Sequence, residues 1–147
     1  MTSKGNTLNP AAAGAAAAAM SPCVTRGDEI PRPGGVITVP FGGNVQFLLL
    51  SCFSPGNLIV RLAPLGELVP SSTVLINQQV PPPNPVMVTL PSLPKERFLL
   101  HWSFLPATTP WQIVIEISVD GMVKFRQLKR NDGNIPLPTG FMVLEVV

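Results

Sequence analysis

Apolar and polar side chains alternate most regularly in the middle of this chain. Phe98, Leu100, Trp102 and Phe104 fall on one side of an extended segment, and Arg97, Leu99, His101 and Ser103 fall on the other. Successive side chains of a strand point to opposite faces, so the aromatic side is core. Trp111, Ile113, Ile115, Ile117 and Val119 then alternate with Gln112, Val114, Glu116, Ser118 and Asp120. This is the pattern of a half-buried strand with β-branched residues at the packed positions. Asp120-Gly121 separates that run from residues 122–128, and such a dipeptide supplies the positive φ angles of a two-residue hairpin turn. Residues 96–128 therefore predict two or three consecutive antiparallel strands.

The flanking regions carry weaker versions of the same signal. Short strands are expected at residues 35–39, 45–52, 58–62, 74–77, 86–90 and 141–147, with turns at Gly42-Gly43-Asn44 and Ser54-Pro55-Gly56-Asn57. Residues 45–52 are apolar on both faces, as in a central strand covered on two sides or in one facing a partner, while Arg61 is expected to point outward. The run Pro81-Pro82-Pro83-Asn84-Pro85 cannot donate to a ladder and reads as a stiff connection or an unpaired edge. Eight or nine short strands with no amphipathic helix predict an all-β fold. Its architecture is a two-sheet antiparallel β-sandwich, jelly-roll or immunoglobulin-like, with strand order left open. Residues 1–34 form a low-complexity arm and linker, Ala-rich over residues 11–20, and residues 35–147 form the sandwich domain. The alanine run fits a secretory signal poorly, because Gly14 interrupts it and Pro22 directly precedes Cys23.

Composition changes the picture in one respect. Of the 147 residues, 12% are Asp, Glu, Lys or Arg and 46% are apolar, where soluble domains carry roughly 25% charged residues. A surface so poor in charge is either clothed in Pro, Ser, Thr, Asn and Gly or covered by neighbouring subunits. The net charge of +2 is too small to indicate nucleic acid, and no apolar run approaches the roughly 20 residues of a membrane span. Cys23 and Cys52 allow one disulfide, from the end of the arm to the end of an early strand, in an oxidising compartment. Two free thiols are the alternative.

The chemistry on offer is sparse. His101 is the only histidine, so acid-base, nucleophile-histidine or His-ligated metal chemistry has to run through it; the simpler reading is a sheet-surface side chain. Asp28, Glu29 and Asp132 are loop carboxylates too dispersed for a calcium site. Arg26-Gly27-Asp28 spells a tripeptide of adhesive ligands that also recurs by chance. Lys124, Arg126, Lys129 and Arg130 cluster near one strand end as a candidate basic patch, read as a solvated face or a charged guard on an exposed edge. Trp111 with Gln112 is the candidate platform for stacking a sugar ring. No cofactor is implied.

Two functions follow as expectations. The first is a non-enzymatic structural subunit of a virion, appendage or extracellular polymer, a homo-oligomer held by apolar sheet faces and the N-terminal arm, extracellular or on an assembly surface rather than cytoplasmic. The alternative is a carbohydrate- or ligand-binding sandwich module.

Overall fold

β-Branched and aromatic residues at alternate positions build the strands that the pattern predicts. The computed structural model describes Cys23 and residues 26–66, 72–131 and 138–147; the alanine-rich arm lies outside the described residues. The strands are β1 (Val36–Val39), β2 (Val45–Ser51), β3 (Gly56–Pro64), β4 (Thr73–Val80), β5 (Val86–Thr89), β6 (Arg97–Pro106), β7 (Gln112–Val119), β8 (Met122–Arg130) and β9 (Thr139–Val146). They form a five-stranded sheet ordered β1-β9-β6-β3-β4 and a four-stranded sheet ordered β5-β2-β7-β8. The all-β sandwich expected from the sequence is therefore the fold.

Two features differ from expectation. β1 pairs with β9 in parallel, Val36 opposite Val143 through Val39 opposite Val146, whereas every other pairing is antiparallel. The second concerns the best-patterned region. β6 and β7 are not ladder neighbours: β6 lies between β3 and β9, and β7 lies between β2 and β8 in the opposite sheet. Each strand turns one apolar face inward, and two strands facing each other across the core satisfy that alternation as well as two side by side. Asp120 and Gly121 do form the β7–β8 turn, with φ of 52° and 82°. That turn is held by Asn44, whose N–H donates to Asp120 Oδ1 at 2.8 Å and whose carbonyl accepts from Asp120 N–H at 2.8 Å.

The core fills the space between the sheets. Phe98, Leu100, Trp102 and Phe104 meet Phe47, Leu49, Ile113, Ile115 and Ile117 there, all buried. Trp102 stands at the centre, its ring 5.4 Å from Phe47 and 6.2 Å from Phe125 between centroids. Gly140 lies directly opposite it on β9. A Cβ at position 140 would approach Trp102 Cζ2 to 2.6 Å, so the indole occupies the space that any larger residue needs. Among the described residues Trp102 Nε1 has no hydrogen-bond acceptor, a cost of about 1–3 kcal/mol that the surrounding aromatic packing offsets.

Candidate functional site

The outer faces of the two sheets are treated differently by the chain. The outer face of the four-stranded sheet presents Leu48 and Leu50 from β2 and Val114 from β7, and these are buried in one cluster with Cys23 and Cys52. Cys23 is disulfide-bonded to Cys52 at the end of β2, which resolves the two thiols left open by the sequence. Residues 26–32 then run along the face to the β8 edge. There Ile30 and Arg126 exchange both backbone hydrogen bonds, at 2.9 and 3.0 Å. Glu29 Oε2 accepts from Leu128 N–H at 2.9 Å, and Arg32 Nε donates to the Lys124 carbonyl at 2.8 Å. The segment is thus a strap that closes an edge as well as a face.

An ionic staple holds the middle of the strap. Glu116 on β7 is buried between Leu48 of β2 and Arg126 of β8 in register. Its Oε2 accepts from Arg126 Nε at 2.7 Å and from Arg26 Nε at 3.2 Å, and Oε1 accepts from Arg26 Nη2. Burial alone would raise the Glu116 carboxyl, but the hydrogen bonds and charges of Arg26 and Arg126 outweigh it and hold the group below the usual carboxylate range. Between strap and sheet lies a crevice of about 500 Å³ lined by Gly27, Asp28, Glu29, Arg126 and Arg130 among others. Its inner charges are already engaged, Arg126 by Glu116 and by the Asp28 carbonyl at 3.1 Å, and Glu29 by the β8 backbone.

The five-stranded sheet has no such cover among the described residues. Strand register lays out its outer face in rows. Val36, Val143, Leu99 and Ala63 form one row across β1, β9, β6 and β3; Phe141, His101, Arg61 and Val74 form the next. Ser103 and Ile59 follow, then Leu105 beside Asn57. Phe141 is 61% exposed and Leu105 is 74% exposed. Charge on these rows is limited to Arg61 and to the exposed Arg97–Glu145 pair, 3.3 Å apart at one end. Apolar side chains and uncharged polar ones such as Asn57, Asn77, Gln79 and Ser103 therefore share this face, with few charges among them.

The residues singled out for chemistry are dispersed. His101 sits on that open face between Arg61 and Phe141, and no described residue hydrogen-bonds or ion-pairs with its imidazole. Trp111 is 3% exposed and packs in the core. It offers no face to a sugar, so the platform with Gln112 is corrected: the parity it shares with Ile113 decides its side. Lys124, Arg126, Lys129 and Arg130 do not make one patch either. Arg126 is bound to Glu116, and Lys129 turns to the opposite side of β8, where Nζ donates to the Thr139 carbonyl of β9 at 2.8 Å. Burial there lowers the Lys129 ammonium pKa. Nor is β8 an open edge guarded by charge, because the strap covers it. In the tripeptide Arg26-Gly27-Asp28, Arg26 is turned inward to Glu116 rather than displayed.

Among the described residues no group of three or more His, Cys, Asp or Glu side chains could hold a metal ion, and no helix is long and apolar enough to cross a membrane. No family model matches the chain, and comparison with curated proteins and with solved structures finds no similar protein.

The sequence missed Glu116 as a structural residue. Alternation assigns it to the solvent side, and Arg26 stands 90 positions away. The one signal available was the flanking Val114, apolar on the nominally exposed side of the same strand.

Proposed function

We propose that the protein is a non-enzymatic structural subunit that self-associates through the outer face of its five-stranded sheet. The observation that carries this reading is the asymmetry of the two faces. The chain covers the apolar outer surface of one sheet with its own disulfide-tethered strap and leaves the other, centred on Phe141, Leu99 and Val143, uncovered among the described residues. Large exposed apolar surfaces usually mark interaction sites, and a second copy of the same face supplies a matching one. The Cys23–Cys52 bond supports an oxidising setting, in keeping with an extracellular or assembly-surface role such as a virion or appendage component. The ligand-binding alternative lost its aromatic platform when Trp111 proved buried.

Sedimentation velocity across a concentration series tests the proposal. The wild-type sedimentation coefficient should rise with concentration, and Phe141→Glu should shift that rise to higher concentration while leaving the circular dichroism spectrum and Tm unchanged. Fully burying a phenylalanine is worth about 1.5–3 kcal/mol; Phe141 is 61% exposed and both copies carry the substitution, so association should weaken by at least about tenfold. A wild-type chain that stays monomeric at the highest attainable concentration would sink the reading.

A further inference from the structure

Sheet edges are where a β-protein recruits another strand, and in this fold three of the four edges are short or closed. The strap lies along β8. β1 and β5 are four-residue strands, bounded closely by Pro33 and Pro40 and by Pro85 and Pro91 respectively. β4 is different. It is eight residues long, Thr-Val-Leu-Ile-Asn-Gln-Gln-Val, without proline, glycine or charge. No described residue hydrogen-bonds to its backbone from outside the ladder with β3. Natural edges of that length are normally blunted by lysine, proline or a covering segment.

The register shows which part of β4 is usable. Pairing with β3 slips between Val60 and Arg61 and leaves Leu75 as the extra residue, while Pro81 ends the strand on the other side. Residues 76–80 between them are regular. On the outer face a short amide ladder runs into this stretch: Asn57 Nδ2 donates to Asn77 Oδ1 at 2.9 Å, and Gln79 Nε2 donates to Asn57 Oδ1 at 3.4 Å. Asn77 Nδ2 and Gln79 Oε1 are left without partners among the described residues.

We propose that residues 76–80 pair antiparallel with the same residues of a second copy about a two-fold axis at Gln78, joining two five-stranded sheets into one. This register is the one that pairs the whole regular stretch with itself, keeping both the bulge at Leu75 and Pro81 outside the ladder. It sets Asn77 opposite Gln79 of the second copy, so the amide ladder continues across the axis. An amide is donor and acceptor at once and therefore complements its own kind. The absence of charge removes the repulsion that keeps identical edges apart, and it also removes the means of selecting an oppositely charged foreign strand. The contact is distinct from the outer face proposed above.

Cysteine crosslinking in the full-length chain tests it. Gln78→Cys places two thiols across the axis, where their effective concentration is about millimolar against micromolar in solution. Mild oxidation should give at least about tenfold more covalent dimer than Glu96→Cys, an exposed position away from β4. A mixture of Asn77→Cys and Gln79→Cys chains should crosslink far more than either alone. Gln78→Lys, which faces like charges across the axis, should lower the dimer fraction at a given concentration. Crosslinking at position 78 no greater than at position 96, or association unaffected by Gln78→Lys, would overturn the proposal. Repeating Gln78→Cys with Phe141→Glu separates the two contacts: retained crosslinking supports the edge as an independent contact, and its loss overturns that claim.

Discussion

Exchanging Glu116 for glutamine should destabilise the fold by about 2–3 kcal/mol, far more than the same exchange at an exposed ion pair. The substitution preserves volume and removes one negative charge, so no cavity contributes. What remains is the loss of the hydrogen bonds that tie Glu116 to Arg26 and Arg126, charge-assisted bonds worth about 1.5–3 kcal/mol each before compensation. Compensation differs between the partners. The Arg26 side chain is 31% exposed and can turn to water, whereas Arg126 is 17% exposed and Glu116 only 7%. Arg126 therefore keeps most of the penalty of a half-buried, unpaired cation, placing the net loss near the lower end of the roughly 3–5 kcal/mol seen for broken buried pairs. In a chain of 147 residues that corresponds to a fall in Tm of roughly 5–10 °C. Glu145→Gln is the control: its pair with Arg97 is exposed on both sides and should change stability by less than about 1 kcal/mol.

The acid limb provides a second reading of the same staple. Glu116 has its folded-state pKa held below the ordinary value. Its contribution is therefore fully present above the ordinary carboxylate pKa and is lost as pH falls through the lowered one. Urea titrations from pH 7 downward should show wild type losing stability over that acidic window, with the Glu116→Gln curve flatter there. Equal losses for Glu116→Gln and Glu145→Gln at pH 7, or parallel acid limbs for wild type and Glu116→Gln, would refute the assignment.

Other consequences can be measured on the same material. Gly140→Ala drives a methyl group against Trp102 and should cost about 1–3 kcal/mol by urea denaturation; a neutral result would mean that the indole shifts freely. Cys52→Ser releases the strap's covalent anchor. It should cost about 3–4 kcal/mol from the loop-entropy relation applied to a separation of 29 residues, and it should raise binding of an apolar dye as Leu48, Leu50 and Val114 are uncovered. Unchanged dye fluorescence would show that the ionic and backbone contacts hold the strap unaided.

How much of this was legible in the sequence depends on the residue. Phe98, Leu100, Trp102 and Phe104 declared their face because a strand has period two and the opposite face holds Arg97, His101 and Ser103. The Asp120-Gly121 turn was legible because few dipeptides tolerate two successive positive φ angles. Sheet membership was not legible, since inward parity is the same in either sheet, and β6 and β7 were separated by it. The parallel pairing of β1 with β9 brings together the two ends of the described sandwich, a contact with no local pattern. The strap was hidden for the opposite reason: Arg-Gly-Asp-Glu and Pro31-Arg32-Pro33 have the composition of a linker, and their role lies in single bonds to β7 and β8. The charge deficit was visible from the start, while the open face it maps to became visible only when register aligned Phe141, Leu99 and Val36 across neighbouring strands.

The bond between Cys23 and Cys52 also gives the molecule a front and a back. Cys23 anchors the strap on the four-stranded side, while Phe141 and Leu105 look out from the other side. A fluorophore attached through Asp28→Cys, an exposed strap position, would accordingly sit at the rear of the sandwich. Such a label should leave the uncovered surface free to meet its neighbour.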